Sequence, residues 1–359
     1  MKCLIVDDNI DAVKGIKDFL EDREDICQIC DFEDFKKHEF EFEPDIIVLD
    51  LKDDADQINA GDQIFDRIIS KRFIPTIIFS AIAETYSVPD EVASNPFIEV
   101  LSKGDEEDVI KCIYKWIPYI EAVNSFKEQI NASFKESLKA LGNFINLGSK
   151  PDDSVMKYML NKRANQYFDD DNCGEKPPAW IEYLYPPVKK HLLVADILRK
   201  ISEEADLDKI GQPEEYAIIL TPSCDMANTQ ETIKILIANC KAKELFTDMP
   251  ANECKPENAK QIKRVSSMLN AGYNKSKVAL AELPSVIPYC TVDLKSLDQV
   301  LSSEIALSKE EINDNHKYYR VASVNSPFRE QIVWAHMINS CRPGMPNRDM
   351  ETWAKGILT

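Results

Sequence analysis

The first third of the chain predicts an α/β fold: an open parallel sheet, doubly wound, with helices on both faces. Five short apolar runs, Lys2–Val6, Ile26–Cys30, Asp45–Asp50, Thr76–Phe79 and Phe97–Leu101, alternate with segments of helical periodicity. The third run reads Asp-Ile-Ile-Val-Leu-Asp, and its four consecutive apolar residues fit a strand covered on both faces. Most of the runs end in polar groups. Asp7 and Asp8 follow the first, Asp50 closes the third, Ser80 follows the fourth, and Lys103 follows the fifth after Ser102. Ligands of open α/β sheets bind beyond the carboxyl ends of the strands. Two acids, a lone acid, a hydroxyl and a lysine are therefore expected on one edge.

The elements between the strands follow from their spacing. Asp11–Glu21 places Val13, Ile16, Phe19 and Leu20 on one helical face, and Phe32–Glu39 reads as a short charged helix. Asp62–Lys71 follows Gly61 with Ile64, Phe65, Ile68 and Ile69 on one face. Ala83–Asn95 is an irregular fourth unit. Asp105–Trp116 closes the domain as a fifth helix, with acids in its first turn where the helix dipole favours them.

This constellation resembles the receiver domain of two-component response regulators, over residues 1–117. Ser80 lies one βα unit beyond Asp50 and Lys103 two, as in that flavodoxin-like, five-stranded fold. The resemblance implies that Asp50 is the phosphoacceptor, a carboxylate nucleophile that becomes an aspartyl-phosphate. It implies Mg²⁺ held by Asp7, Asp8 and Asp50, with the backbone carbonyl of Lys52, an all-oxygen set suited to that ion. Lys103 would pair with phosphoryl oxygens as a point charge, and Ser80 would hydrogen-bond one of them. Helix capping alone would account for the acids, but not for Lys103. The chain departs from the family at Gly104, where a proline is usual, and at Val100, where many members carry a switching aromatic. The acidic loop Lys52–Gly61 is long, and Lys52 itself stands close enough to Asp50 to alter the lifetime of the phosphate.

Composition narrows the function. A net charge of −19 argues against nucleic acid. Met1-Lys2 leads straight into a strand with no signal peptide, and no apolar run approaches the ~20 residues that span a bilayer, so a cytoplasmic protein away from membranes is expected. Ten cysteines are scattered rather than framed, which fits free thiols. Cys27-Gln-Ile-Cys30 has CxxC form, but its place inside a strand favours small buried hydrophobes over redox or zinc chemistry.

Pro118 fits the first turn of a new helix better than the interior of an old one. The next segment, 118–149, is expected to be a signalling or linker helix, with Ile120, Val123, Phe126 or Ile130, Phe134, Leu138, Leu141 and Ile145 at three- and four-residue spacing. It would form a homodimer seam through 119–147 or lie on the C-terminal domain. Turn chemistry at Gly148–Asp153 sets the boundary of that domain, 150–359. A short helix near Met156–Tyr167 precedes a Pro-rich strip, Lys176–Pro187, read as a strap over a neighbouring domain.

Leu192–Arg199, Tyr216–Leu220, Val278–Leu283, Ile287–Val292 and Tyr319–Val324 read as strands, and Thr229–Lys243, Asn258–Asn270 and Phe328–Ser340 as helices. The mix predicts an α+β domain around a small sheet or a barrel resembling the SH3-like barrels of toxin and defence-associated proteins. Its one candidate site is Ser223, Cys224 and Asp225. Cys224 would act as a nucleophile or, with Cys240, Cys254, Cys290 or His191, as a zinc ligand; otherwise Ser223 and Asp225 would cap a helix near Asn228 with Cys224 buried.

Three functional readings follow: a response regulator phosphorylated by a histidine kinase that acts by protein–protein contact; a receiver-gated enzyme; and a phosphate sink. The sink would drain a kinase shared with a second receiver or effector protein, as in an antiphage defence system.

Overall fold

In the computed structural model the described residues are all except 38–40, 53–59, 105, 147–151, 171–176, 203–205, 228–231, 248–257, 342–347 and 359. The chain divides into two compact units, Met1–Asn172 and Cys173–Thr359.

The first unit holds five parallel strands: β1 Lys2–Val6, β2 Ile26–Cys30, β3 Ile46–Leu49, β4 Thr76–Ser80 and β5 Ile98–Ser102. Their order, β2-β1-β3-β4-β5, is the flavodoxin-like doubly wound order. Side chains alternate across it. Cys3, Ile5, Ile46 and Val48 pack with Ile16 and Leu20 of α1 (Lys14–Asp22) and with Val109, Ile113 and Trp116 of α4 (Glu106–Asn146). Leu4, Val6, Ile47 and Leu49 pack on the other face with Phe32 and Phe35 of α2 (Phe32–Lys37) and with Ile64, Phe65 and Ile68 of α3 (Ala60–Lys71). Helices on both faces are what the continuous apolar runs require. The irregular fourth unit is a 3₁₀ turn, Ala83–Thr85, followed by turns.

Pro118 does not divide two helices: α4 runs unbroken through it for 41 residues. The proline removes one intrahelical hydrogen bond and costs ~3 kcal/mol. Trp116 and Ile120, on either side of it, are buried in one cluster with Val109 and Ile113, and each gains roughly 2–3 kcal/mol from burial. Tertiary burial thus outweighs the local break. The helix α5 (Asp153–Asp170), placed in the C-terminal part by the sequence boundary, packs against α4 within the first unit.

The second unit is α+β. Its strands are β6 Tyr183–Leu184, β7 Asp196–Lys200, β8 Tyr216–Ile219, β9 Lys234–Ala242, β10 Lys277–Leu280, β11 Cys290–Leu301, β12 Ile305–Ala306 and β13 Tyr318–Val324. They form one curled sheet in the order β10-β11-β9-β8-β7-β13-β12, with β6 also on β13. Among the described residues no pairing joins the two ends, so of the two expected forms the sheet is present. With them are α6 Ser223–Ala227, α7 Ala259–Asn270, α8 Phe328–Ser340 and α9 Met350–Leu358.

The helix expected over Thr229–Lys243 is instead the central strand β9, as far as its described residues run. Ile235 and Ile237 face one apolar cluster, and Ala238 and Cys240 face the other. A strand buried on both sides has no polar stripe, and its run of apolar residues imitates a helical face. The described part of the Pro-rich strip joins the second unit's own sheet through β6. Tyr183 is buried there, and its hydroxyl donates to the Ala281 carbonyl. No helix among the described residues is long and apolar enough to cross a membrane.

Candidate functional site

The carboxyl edge of the parallel sheet brings the expected groups together. Asp7 follows β1 and Asp50 follows β3, and both are nearly fully buried, at 3% and 5% exposure. The Lys103 ammonium lies between them, 2.5 Å from Asp50 Oδ2 and 2.8 Å from Asp7 Oδ2. The Asn9 N–H donates to Asp7 Oδ1 at 2.9 Å, and the Lys52 N–H donates to Asp50 Oδ1 at 3.2 Å. Asp8 is exposed at the rim, and one oxygen from each of Asp7, Asp8 and Asp50 lies within 4.8 Å of the others. Ser80 is fully buried at the end of β4, where its Oγ accepts from the Ile82 N–H at 3.5 Å. Its carbonyl accepts from the Lys103 N–H, which ties the hydroxyl and the lysine to one strand pair.

Three carboxylates around one ammonium leave the cluster with excess negative charge. Burial pushes the Asp7 carboxyl above its ordinary range, and its bonds from Lys103 and Asn9 only partly offset this. Burial alone would lower the Lys103 ammonium, but hydrogen bonds to Asp50 and Asp7 outweigh it and hold the lysine charged. A set of hard carboxylate oxygens, converging and short of positive charge, fits Mg²⁺. Because Asp7 is raised in the folded protein, its ionised form opposes folding. Its penalty is absent below the unfolded carboxyl range and grows as pH rises through the folded one. The double replacement Asp7→Asn, Asp8→Asn is therefore expected to raise the metal-free Tm by a few degrees at neutral pH. It should also eliminate Mg²⁺ binding by calorimetry. A double variant with undiminished affinity would reduce these acids to helix caps.

One residue the sequence did not single out shapes this edge, and a second packs in the layer beside it. Gly61, in the first turn of α3, lies directly on the backbone after β3; a Cβ there would run into the Asp50 carbonyl oxygen and the Leu51 Cα. Only glycine lets the helix come so close to the backbone of Asp50 and Leu51. Tyr86 packs edge-on against Phe65 with ring centroids 6.4 Å apart, and burial pushes its hydroxyl up to about 12. Gly104 has φ +131°, which proline cannot adopt.

The Cys27/Cys30 pair stays within β2. Both thiols are half-buried rather than buried; burial, with Asp31 and Asp34 alongside, pushes Cys30 up to about 12, whereas the hydrogen bond with Cys3 lowers Cys27. In the second unit Ser223 Oγ accepts from the Val194 N–H at 2.9 Å. Cys224 is exposed rather than buried, because α6 begins at Ser223 and turns the thiol outward beside Asp225 at 3.4 Å. Asn228 and Cys254 lie outside the described residues. Among those described, the metal-ligand grouping is Asp7, Asp8 and Asp50, and Cys240 and Cys290 are buried apart from Cys224.

No protein-family model matches the chain, and no curated protein matches it. Three solved response regulators resemble it. The N-terminal domain of the nisin resistance regulator NsrR, a lantibiotic response regulator, is 23% identical over 32% of this chain and 94% of its own, with a TM-score of 0.26. The N-terminal domain of a response regulator/sensory box/GGDEF 3-domain protein from Carboxydothermus hydrogenoformans is 21% identical over 34% and 98%, with a TM-score of 0.28. The response regulator StyR is 16% identical over 48% and 93%, with a TM-score of 0.30. The fold assignment rests on the strand order and the two covered faces described above.

Proposed function

We propose that residues 1–117 are the receiver of a two-component response regulator that accepts a phosphoryl group on Asp50 from a histidine kinase. The observation that carries this reading is the Lys103 ammonium bridging Asp50 and Asp7 at the carboxyl edge of the sheet. Asp50 is oriented for attack by the Lys52 N–H on one oxygen and Lys103 on the other. As the P–O bond to Asp50 forms, the P–N bond to the donor imidazole breaks, and the imidazole takes up a proton as it leaves. Lys103 stays within reach of the transferred phosphoryl oxygens. The Ser80 hydroxyl, which accepts a bond from Ile82, still has its own proton to donate to one of those oxygens. Asp7, Asp8 and Asp50, with the Lys52 carbonyl, would hold Mg²⁺, which supplies positive charge against the phosphoryl group.

The phosphate adds negative charge beside Lys103 and Ser80 and draws both toward it. Lys103 follows β5 and immediately precedes α4, so α4 is the route by which the change leaves the site. Output by protein–protein contact agrees with a net charge of −19, which disfavours nucleic acid. Beryllofluoride, a mimic of the phosphoryl group, is expected to raise the Tm of the full chain only when Mg²⁺ is also present. A rise with beryllofluoride in the absence of Mg²⁺, or none with both, would overturn the reading.

A further inference from the structure

The second unit contains a pocket of about 200 Å³ that the receiver chemistry does not use. Its walls are apolar and aromatic, with Phe246, Leu280, Tyr289, Phe328 and Ile332 around it. Glu182 is the one charged residue among those lining it. Among the described residues the Glu182 carboxylate has neither an ion pair nor a hydrogen bond. Burial pushes its pKa up, and among the described residues no neighbouring cation opposes that shift. Its backbone is fixed on both sides. The Glu182 carbonyl accepts from the Asn325 N–H at 2.7 Å, and the next residue, Tyr183, is anchored through its hydroxyl to Ala281 at 3.0 Å. The backbone that carries the acid is thus fixed where Glu182 lines the pocket, and the side chain is half-buried there.

We propose that this pocket binds a ligand ending in a primary ammonium on a short apolar stem. A half-buried carboxylate without a partner is costly, and a cation supplies the missing charge. An anion is repelled by Glu182, and a neutral apolar guest strips water from the carboxylate without compensation. The aromatic walls favour the same choice, since ring faces attract ammonium groups. The Tyr289 ring already carries the Lys243 ammonium, 5.8 Å from its centroid, so the selection falls to Glu182 and the Phe246 and Phe328 rings. The volume falls below the ~300 Å³ where drug-sized sites begin, which selects a group the size of one amino-acid side chain.

Pentylamine, pentanol and pentanoate differ only in the head group and test this on the full chain. Methyl NMR at Leu280 and Ile332 reads binding at the pocket itself. Pentylamine is expected to shift both residues saturably and to bind at least ten-fold more tightly than pentanol, with pentanoate not binding. Glu182→Gln should bring the amine and the alcohol to equal affinity while leaving the other methyl signals in place. Should that variant fold poorly, the three-probe comparison on the wild-type chain decides alone. Equal binding of amine and alcohol by the wild-type protein, no saturable shift at these methyls, or an amine preference that persists in folded Glu182→Gln would each overturn the proposal.

Discussion

Asp50→Asn should reduce phosphoryl uptake from acetyl phosphate to background. The wild-type chain should gain the mass of one phosphoryl group, and only with Mg²⁺ present. The substitution keeps the shape of the side chain and exchanges a carboxylate oxygen nucleophile for an amide. It also removes one of the two carboxylates that the Lys103 ammonium bridges, leaving Asp7 at 2.8 Å to hold the lysine. The fold should survive, because Asp50 is a product of the sheet rather than a support of it. The four residues before it, Ile46–Leu49, are all buried and pack on both faces without its help. Loss of uptake with an unchanged Tm is therefore expected. Labelling that persists in Asp50→Asn, measured by intact mass, would refute the assignment of the phosphoacceptor.

The edge that carries Asp50 was legible because its information is local. A strand that ends in an acid places that acid at the sheet edge whatever the rest of the chain does, and the βα spacing then brings Ser80 and Lys103 alongside. What was not legible depends on partners far away in sequence. Pro118 reads as a break until Trp116 and Ile120 are seen in one cluster with β1 and β3 residues. The β9 run reads as a helix until both of its faces are found covered. The alternation of β-branched Ile233, Ile235 and Ile237 was the available signal for a strand, masked by Leu236 between the last two and Ala238 after them. Gly61 carried no signal, because its requirement comes from the Asp50 and Leu51 backbone against it. Glu182 was similarly silent, since its place in the wall is a property of a pocket assembled from several elements.

Replacing Phe134 and Leu138 together with glutamine should uncouple the receiver from its output while leaving Asp50 competent. The reason lies in how α4 distributes its residues. Ser133 and Ser137 are buried, whereas Val123, Ile130, Phe134, Leu138 and Ile145 stand 43–56% exposed. The helix thus turns small polar residues inward, on an element against which α5 packs, and a row of large apolar residues outward. That is the reverse of an ordinary surface helix, and exposed apolar rows of this kind mark interaction surfaces. Pairing of the stripe with its copy, the seam expected from the sequence, would cover it. For phosphorylation to control that pairing, two arrangements of α4 must differ by only a few kcal/mol, so that charge placed at Asp50 selects one. Four large side chains at a two-fold seam, at roughly 1.5 kcal/mol each, would make the double variant's dimer about 10⁴-fold weaker. Light scattering with beryllofluoride and Mg²⁺ should show the wild-type chain changing oligomeric state and the double variant remaining a monomer, with equal phosphoryl uptake by both. A wild-type chain that binds beryllofluoride with no change in mass, and no change in hydrogen exchange along 119–147, would defeat the switch and favour a receiver that only drains phosphate from its kinase.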